Sequence, residues 1–221
     1  MKLFIRSLLK FTVGIGLLMC MLFLPAGTLH YPGGWFFLVL LSVPMLLMGV
    51  VMLFKAPTLL ESRLDNKEKL GDQKAVVLCF ALIFLSTFVL SALDFRFGWS
   101  KVPTPLTIVA GVLFLIGYGL YAEVSRENAY LSRTIEVQEG QKVIDTGLYR
   151  LVRHPMYFAT LFMFLPLPLI LGSFWGLIPV AFYLPVIVIR LLSEEKFLLA
   201  TLDGYAEYCK KVKYHILPFL F

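Results

Sequence analysis

Three polar segments in the C-terminal part of the sequence carry side chains able to bind or transfer a chemical group. The first is the stretch 145–157, DTGLYRLVRHPMY. Gly147 permits a turn there, and Pro155 holds His154 out of helical geometry while suiting the first turn of the helix that follows. Arg153 and His154 are then expected beside the free amides of a helix start, a place suited to an anion. Tyr149, Arg153 and Tyr157 equally fit an anchor at lipid headgroup level. In the second segment, Arg190 to Leu198, Arg190 and Glu194 share one helix face. The adjacent carboxylates Glu194 and Glu195 at the mouth of a membrane helix are costly to desolvate and invite a cationic or hydroxyl-rich partner. A plain surface pair of Arg190 with Glu194, contributing about 0.5 kcal/mol, is the blander reading. The third segment, Asp203 to Pro218, is amphipathic with aromatics three apart, the pattern of a helix lying on a membrane surface.

The elements that position these residues are set by hydropathy. Of 221 residues, 59% are hydrophobic and only 15% are charged, whereas a soluble domain carries about a quarter charged residues. A membrane-spanning helix needs roughly 20 mostly apolar residues, and such stretches fall at 11–29, 35–54, 75–93 and 105–122. A fifth apolar region, 156–189, is too long for one crossing. Gly172 and Ser173 divide it, with Pro166 and Pro168 just before, which predicts a tight helical hairpin of 156–171 and 174–192. The expected fold is an all-α integral membrane protein with six transmembrane helices, including the C-terminal hairpin, and a further C-terminal helix at the interface.

Basic residues orient this fold, because Lys and Arg accumulate on the cytoplasmic side of short loops. The N-terminus with Lys2, Arg6 and Lys10, the 55–74 and 123–153 loops and the tail from 190 together hold 18 of the 20 basic residues. The alternate segments hold only Arg96 and Lys101. Both termini and the polar C-terminal segments are therefore expected in the cytoplasm. The net charge of +6 is this bias rather than a nucleic-acid surface, since acidic residues are interspersed in the long loops. The first apolar run is longer than a signal-peptide core, has no small-x-small cleavage site after it and is followed by further helices, so it reads as helix one. Cys20, Cys79 and Cys209 form neither a disulfide framework nor a metal site by spacing.

One domain with two zones results. Residues 1–122 form a scaffold of four helices without a polar cluster at mid-helix depth of the kind that marks an ion path. The 55–74 loop is polar and helical in part. Nearly all chemically useful side chains follow in 123–221, which contains the 156–192 hairpin and the tail.

The three segments taken in order are more specific than any one alone. Arg-His-Pro-x-Tyr at the start of a hairpin, Glu-Glu-x-x-Leu at its end, then Tyr-x-x-Tyr with a terminal Pro resembles the superfamily of isoprenylcysteine carboxyl methyltransferases and phospholipid methyltransferases. The resemblance covers about residues 123–221. Asn128 and the stretch from Val137 to Tyr149 are also similar to the approach in its prokaryotic branch. Ala159 stands where a Gly is frequent, and His215 where many relatives have Arg. The resemblance implies S-adenosylmethionine as cofactor in a cytoplasm-facing pocket. Carried over by position, cofactor contacts fall on Gln138, Gln141, Lys142, Val143, Ile144, Tyr149, His154, Pro155, Met156, Tyr157 and Glu194. Arg190 matches a position of the substrate site.

These residue types suit that chemistry. A carboxylate such as Glu194 accepts from an ammonium or ribose hydroxyls, His154 and nearby amides donate to a carboxylate, and Tyr149 or Tyr157 can flank an adenine. Methyl transfer from a sulfonium needs mainly positioning, which can account for about 7–11 kcal/mol of the barrier. A carboxylate acceptor needs no base, and Arg190 would orient it; an amine acceptor must lose a proton, for which Glu195 or His215 would serve. The expected function is methyl transfer to a lipophilic or lipidated acceptor reached from the membrane lipids, best a carboxylate of a prenylated cysteine or similar lipid. Aminophospholipid N-methylation is the alternative. Sterol-type membrane reductases have a loosely similar C-terminal region and use a nicotinamide cofactor, although no Gly-x-Gly-x-x-Gly fingerprint is present here. A scaffold or transporter is disfavoured by cofactor-type residues gathered on one side.

The charge pattern makes a topological prediction. Cysteines introduced at positions 66 and 140 should react with impermeant reagents from the cytoplasmic side alone, and one at position 100 from the opposite side alone. Labelling of 66 and 140 from opposite faces would break the six-helix topology.

Overall fold

The computed structural model describes residues 2–64, 71–131 and 137–220. Lys67, Lys69 and Arg133, which belong to the charge pattern, lie outside them, as does position 66. Among the described residues every regular element is helical: α1 (Lys2–Ala26), α2 (Pro32–Lys55), α3 (Pro57–Leu64), α4 (Gly71–Phe97), α5 (Thr104–Glu127), a 3-10 turn at Gly147–Arg150, α6 (Pro155–Phe164), α7 (Leu167–Ile170), α8 (Leu177–Ala181), α9 (Tyr183–Thr201) and α10 (Tyr205–Lys211). Among the described residues five helical stretches are long and apolar enough to cross a membrane: α1, α2, α4, α5 and the run Leu177–Thr201. Pro155–Ile170 is a shorter apolar segment. The chain is thus an all-α integral membrane protein, with large apolar side chains such as Leu9, Leu47, Phe54 and Phe182 exposed on its outer faces.

The hairpin forms where expected, and its prolines explain its broken arms. Pro166 and Pro168 lack an amide proton and crowd the preceding turn, so α6 stops at Phe164 and α7 is a single turn. Gly172, at φ 80°, makes the reversal. Pro185 sits four residues beyond Ala181, where its ring meets the carbonyl that a continuous helix would need, and α8 ends at that residue. The first arm therefore falls short of the full crossing that the apolar pattern predicts.

Close backbone approaches hold the hairpin to the other helices. On α5, a Cβ at Gly117 would lie 2.8 Å from the carbonyl oxygen of Ala159 and 2.8 Å from Phe162 Cβ. Ala159 itself is fully buried, so this seam seats α6 directly on α5. On α2, a Cβ at Gly33 would lie 2.6 Å from the Leu171 carbonyl oxygen, the same oxygen that accepts from the Tyr31 hydroxyl at 2.8 Å.

The end of the bundle that holds the hairpin turn contains polar groups that the hydropathy reading of 1–122 does not anticipate. Thr87, Ser91 and Asp94 of α4 are fully buried. The Asp94 carboxylate accepts from the Ser100 amide at 2.7 Å, from the Ser100 hydroxyl and from the Ser173 hydroxyl. Ser173 in turn accepts from the Gly176 amide, and Ser100 from the Phe174 amide. A buried carboxylate is tolerated when donors surround it, and here they come from both the α4–α5 loop and the hairpin turn. The cluster fixes the turn to the scaffold.

Gly117→Ala gives a test of the α5–α6 seam whose sign is informative. Alanine in a helix normally gains about 0.8–1.0 kcal/mol over glycine, yet overpacking at a backbone contact costs about 1–3 kcal/mol. The expected result is a lower thermal midpoint in detergent for Gly117→Ala, with Gly119→Ala, whose Cβ meets nothing within 4 Å, unchanged or raised. Equal behaviour of the two variants would contradict the seam.

Candidate functional site

The site lies at the end of the bundle opposite the hairpin turn, where four segments and the tail converge. The first is the 3-10 turn. Gly147 takes φ 47°, and the Glu127 carboxylate lies where a Cβ would project. The Leu148 amide donates to Glu127 Oε2 at 3.2 Å, so the end of α5 fixes the turn. This presents Tyr149 to the cleft, its hydroxyl accepting from Asn128 Nδ2 at 2.8 Å.

The second segment is the loop before it. Gln141, Lys142, Val143 and Ile144 line the cleft. Gln138 is turned onto its own loop: its amide donates to Gln141 Oε1 at 2.9 Å and its Nε2 to the Tyr130 carbonyl at 3.0 Å. It is not among the lining residues.

The third is the start of α6, where His154, Pro155, Met156 and Tyr157 all face the cleft. The His154 and Tyr157 rings stack with centroids 5.6 Å apart. The amides of Arg153 and His154 are not free for an anion as the sequence suggests. They donate to the carbonyls of Tyr214 and His215, at 2.9 and 2.8 Å, because the segment after α10 returns alongside them.

The fourth is α9. Arg190 and Glu194, one turn apart, both line the cleft. The Tyr157 hydroxyl donates to Glu194 Oε2. Arg190 Nη1 donates to Oε1 of Gln73, at 3.4 Å, a buried residue of α4 that sequence reasoning missed. Only its place near the start of a membrane helix marks Gln73 in the sequence.

Glu195 faces elsewhere. The residue is 7% exposed, and its carboxylate lies 2.8 Å from Arg153 Nη1, 3.2 Å from His154 Nε2 and 3.2 Å from His215 Nε2. It is not a lining residue. Arg153 also donates from Nη2 to the Lys213 carbonyl at 2.9 Å. His215 thus meets the carboxylate from the tail.

The tail differs from a helix floating on lipid. Its aromatic side, Tyr205, Tyr208 and Val212, is buried against Val143, Leu198 and Leu202. The Tyr208 hydroxyl donates to the Tyr149 carbonyl at 2.7 Å. Spacing three apart reveals the apolar side but not what covers it. Tyr205, Tyr208, Leu198 and Leu202 therefore join the cleft lining without having been named as site residues.

The cleft has two kinds of wall. One carries His154, Tyr157, Arg190 and Glu194; the other is apolar and aromatic, from Val143, Leu198, Leu202, Tyr205 and Tyr208. That donor set fits a ligand with a charged amino-acid end and a flat aromatic end. Among the described residues no group of three or more His, Cys, Asp or Glu could hold a metal ion.

Fold and site together define a multi-pass helical membrane protein with a cleft at one end of its bundle. Residues 106–203 match the family model described as phospholipid methyltransferase. This match, which runs from α5 to just beyond α9, agrees with the resemblance to that superfamily of membrane methyltransferases over those residues and stops short of the tail. The chain is also similar to the Delta(14)-sterol reductase TM7SF2 of Mus musculus, at 26% identity over 149 residues. The alignment covers 61% of this chain and 36% of that relative, so the chain spans little more than a third of its length.

The Glu195 cluster makes a pH prediction. Burial pushes His215 below the usual imidazole value, the Glu195 carboxylate opposes this, and Arg153 and His154 lower it further. The folded protein therefore takes up this proton at lower pH than the unfolded chain does. The stability concerned is fully present above the unfolded value of about 6.5 and is lost as pH falls below it. The thermal midpoint should fall on acidification from pH 7.5 to 5.5, and less steeply in His215→Gln. An unchanged slope in the variant would remove His215 from the account.

Proposed function

We propose that this protein is an S-adenosylmethionine-dependent methyltransferase acting on a lipophilic acceptor, best a carboxylate of a prenylated cysteine or similar lipid. The active site and both termini face the cytoplasm. The observation that carries the reading is the placement of Arg190 and Glu194, one turn apart, on the polar wall of a cleft at the end of a membrane bundle. The phospholipid methyltransferase match supports the reaction class.

When bound, S-adenosylmethionine supplies an activated methyl group on a sulfonium. Glu194, oriented by Tyr157, accepts hydrogen bonds from the cofactor's ammonium or ribose hydroxyls. His154, Gln141 and Lys142 hold its remaining polar groups, with Val143, Ile144 and Tyr149 at its side. Arg190, steadied by Gln73, orients the acceptor's negative group through a charge-assisted pair. Together these residues fix the two reactants against each other, and positioning is the main demand of an in-line displacement.

The choice of a carboxylate over an amine rests on the bases. N-methylation needs a group to take the amine's proton, and Glu195 and His215 face each other beside Arg153, with Glu195 outside the cleft lining. The family's description names phospholipids and keeps aminophospholipid N-methylation as the second reading. The sterol reductase relative keeps a third, reduction with NADPH.

Calorimetry on the purified protein separates these roles. S-adenosylhomocysteine should bind and raise the thermal midpoint, as a ligand specific to the folded state does. Glu194→Gln should weaken binding by about 1.5–3 kcal/mol, the range for a hydrogen bond to a charged group. Arg190→Ala should leave cofactor binding largely intact while lowering turnover. Both variants retaining wild-type affinity and turnover would sink both assignments, and NADPH binding in place of S-adenosylhomocysteine would favour reduction.

A further inference from the structure

Tyrosines surround the cleft, and their hydroxyls are engaged with a single exception. Tyr130 meets the Gly140 carbonyl, Tyr149 meets Asn128, Tyr157 meets Glu194, and Tyr208 meets the Tyr149 carbonyl. Tyr205 also lines the cleft and is only 4% exposed, yet its buried hydroxyl has no hydrogen-bond partner among the described residues. A buried hydroxyl without a partner is costly in a folded protein, and such a group calls for a specific explanation.

The surroundings of Tyr205 narrow the chemistry of a partner. It packs with Val143, Leu198, Leu202, Tyr208 and Cys209, the Tyr208 ring lying 5.7 Å away at 46°; the Cys209 thiol beside the phenol is too weak an acceptor to satisfy its hydroxyl. Several ribose hydroxyls placed on this wall would find one donor and many apolar neighbours, which costs desolvation. An anionic group is disfavoured too. Burial raises the Tyr205 pKa first, and the carboxylates of Glu195 and Glu194 are near enough to raise it further. The phenol therefore stays protonated and acts as a donor in a neighbourhood of negative charge. What fits is a neutral, flat heteroaromatic ring with an in-plane acceptor.

We propose that Tyr205 is a further cofactor-binding residue, whose buried hydroxyl donates a hydrogen bond to a ring nitrogen of the cofactor's purine base. This rests on the cofactor reading above and extends it to the tail. The aromatic wall takes the base, and the polar wall of His154, Tyr157, Arg190 and Glu194 takes the charged end and the acceptor. Segments far apart in the chain, 141–144 and 198–208, thus close around one ring.

The test uses the full-length protein in detergent, Tyr205→Phe, and calorimetry with S-adenosylhomocysteine and its 1-, 3- and 7-deaza analogues, each lacking one purine ring nitrogen. Tyr205→Phe keeps the ring and removes an unpartnered hydroxyl, so the ligand-free thermal midpoint should be unchanged or higher. Its affinity for S-adenosylhomocysteine should fall about five- to tenfold, the equivalent of one ordinary hydrogen bond. One deaza analogue should bind wild type and variant equally, because the acceptor is then missing from the ligand. Wild-type affinity in Tyr205→Phe, with Glu194→Gln still weakened, would overturn the role of Tyr205 and leave the cofactor reading intact. NADPH binding that weakens in Tyr205→Phe, with no binding of S-adenosylhomocysteine, would keep the purine contact and overturn methyl transfer. No binding of either ligand to the wild type would overturn both.

Discussion

The Glu195 carboxylate is the point on which the site depends. It is buried near the end of a membrane helix and would be costly there alone, but Arg153, His154 and His215 reach it together. Two of these come from the start of the hairpin and one from the tail. Breaking such a buried pair by removing one partner typically costs about 3–5 kcal/mol, because the other charge is left uncompensated. The same contact aligns the tail so that its carbonyls at 214 and 215 accept the amides of Arg153 and His154. His154 thereby presents its ring toward Tyr157, and Tyr205 and Tyr208 close the far wall.

At the other end of the bundle Asp94 does a comparable job with hydroxyl and amide donors. It joins the α4–α5 loop to the hairpin turn, while Gly33 and Gly117 let α2 and α5 approach the hairpin backbone. The hairpin is thus gripped at its turn, along its first arm and at its open end. Positioning chemistry asks for such a frame, since small displacements of binding groups reduce rates steeply.

Much of this was legible in the sequence. Apolar runs and prolines located the helices to within a few residues at most ends, and Gly147 and Pro155 marked the turn and the helix start that present Tyr149 and His154. The resemblance brought together Gln141 to Ile144, His154 to Tyr157, Arg190 and Glu194, and the structure gathers these around one cleft. What escaped was direction and distance. Neighbours on a helix point about 100° apart, so Glu194 reaches the cleft while Glu195 reaches the tail, and the pair of letters alone does not say which. Gln73 meets Arg190 and Asp94 meets Ser173 across long stretches of chain, contacts without any local pattern. The apolar side of the tail was visible, but its cover, Val143 with Leu198 and Leu202 rather than lipid, depends on the fold.

The central claim is methyl transfer to a lipophilic carboxylate at this cleft. Purified protein in lipid vesicles, supplied with S-adenosylmethionine labelled in its methyl group and a prenylated cysteine, measures it directly. The account predicts label in the organic phase as a methyl ester, released by mild base as methanol and absent with Arg190→Ala. Label that enters lipid but resists base would indicate N-methylation, and no transfer to any lipid fraction would contradict the account.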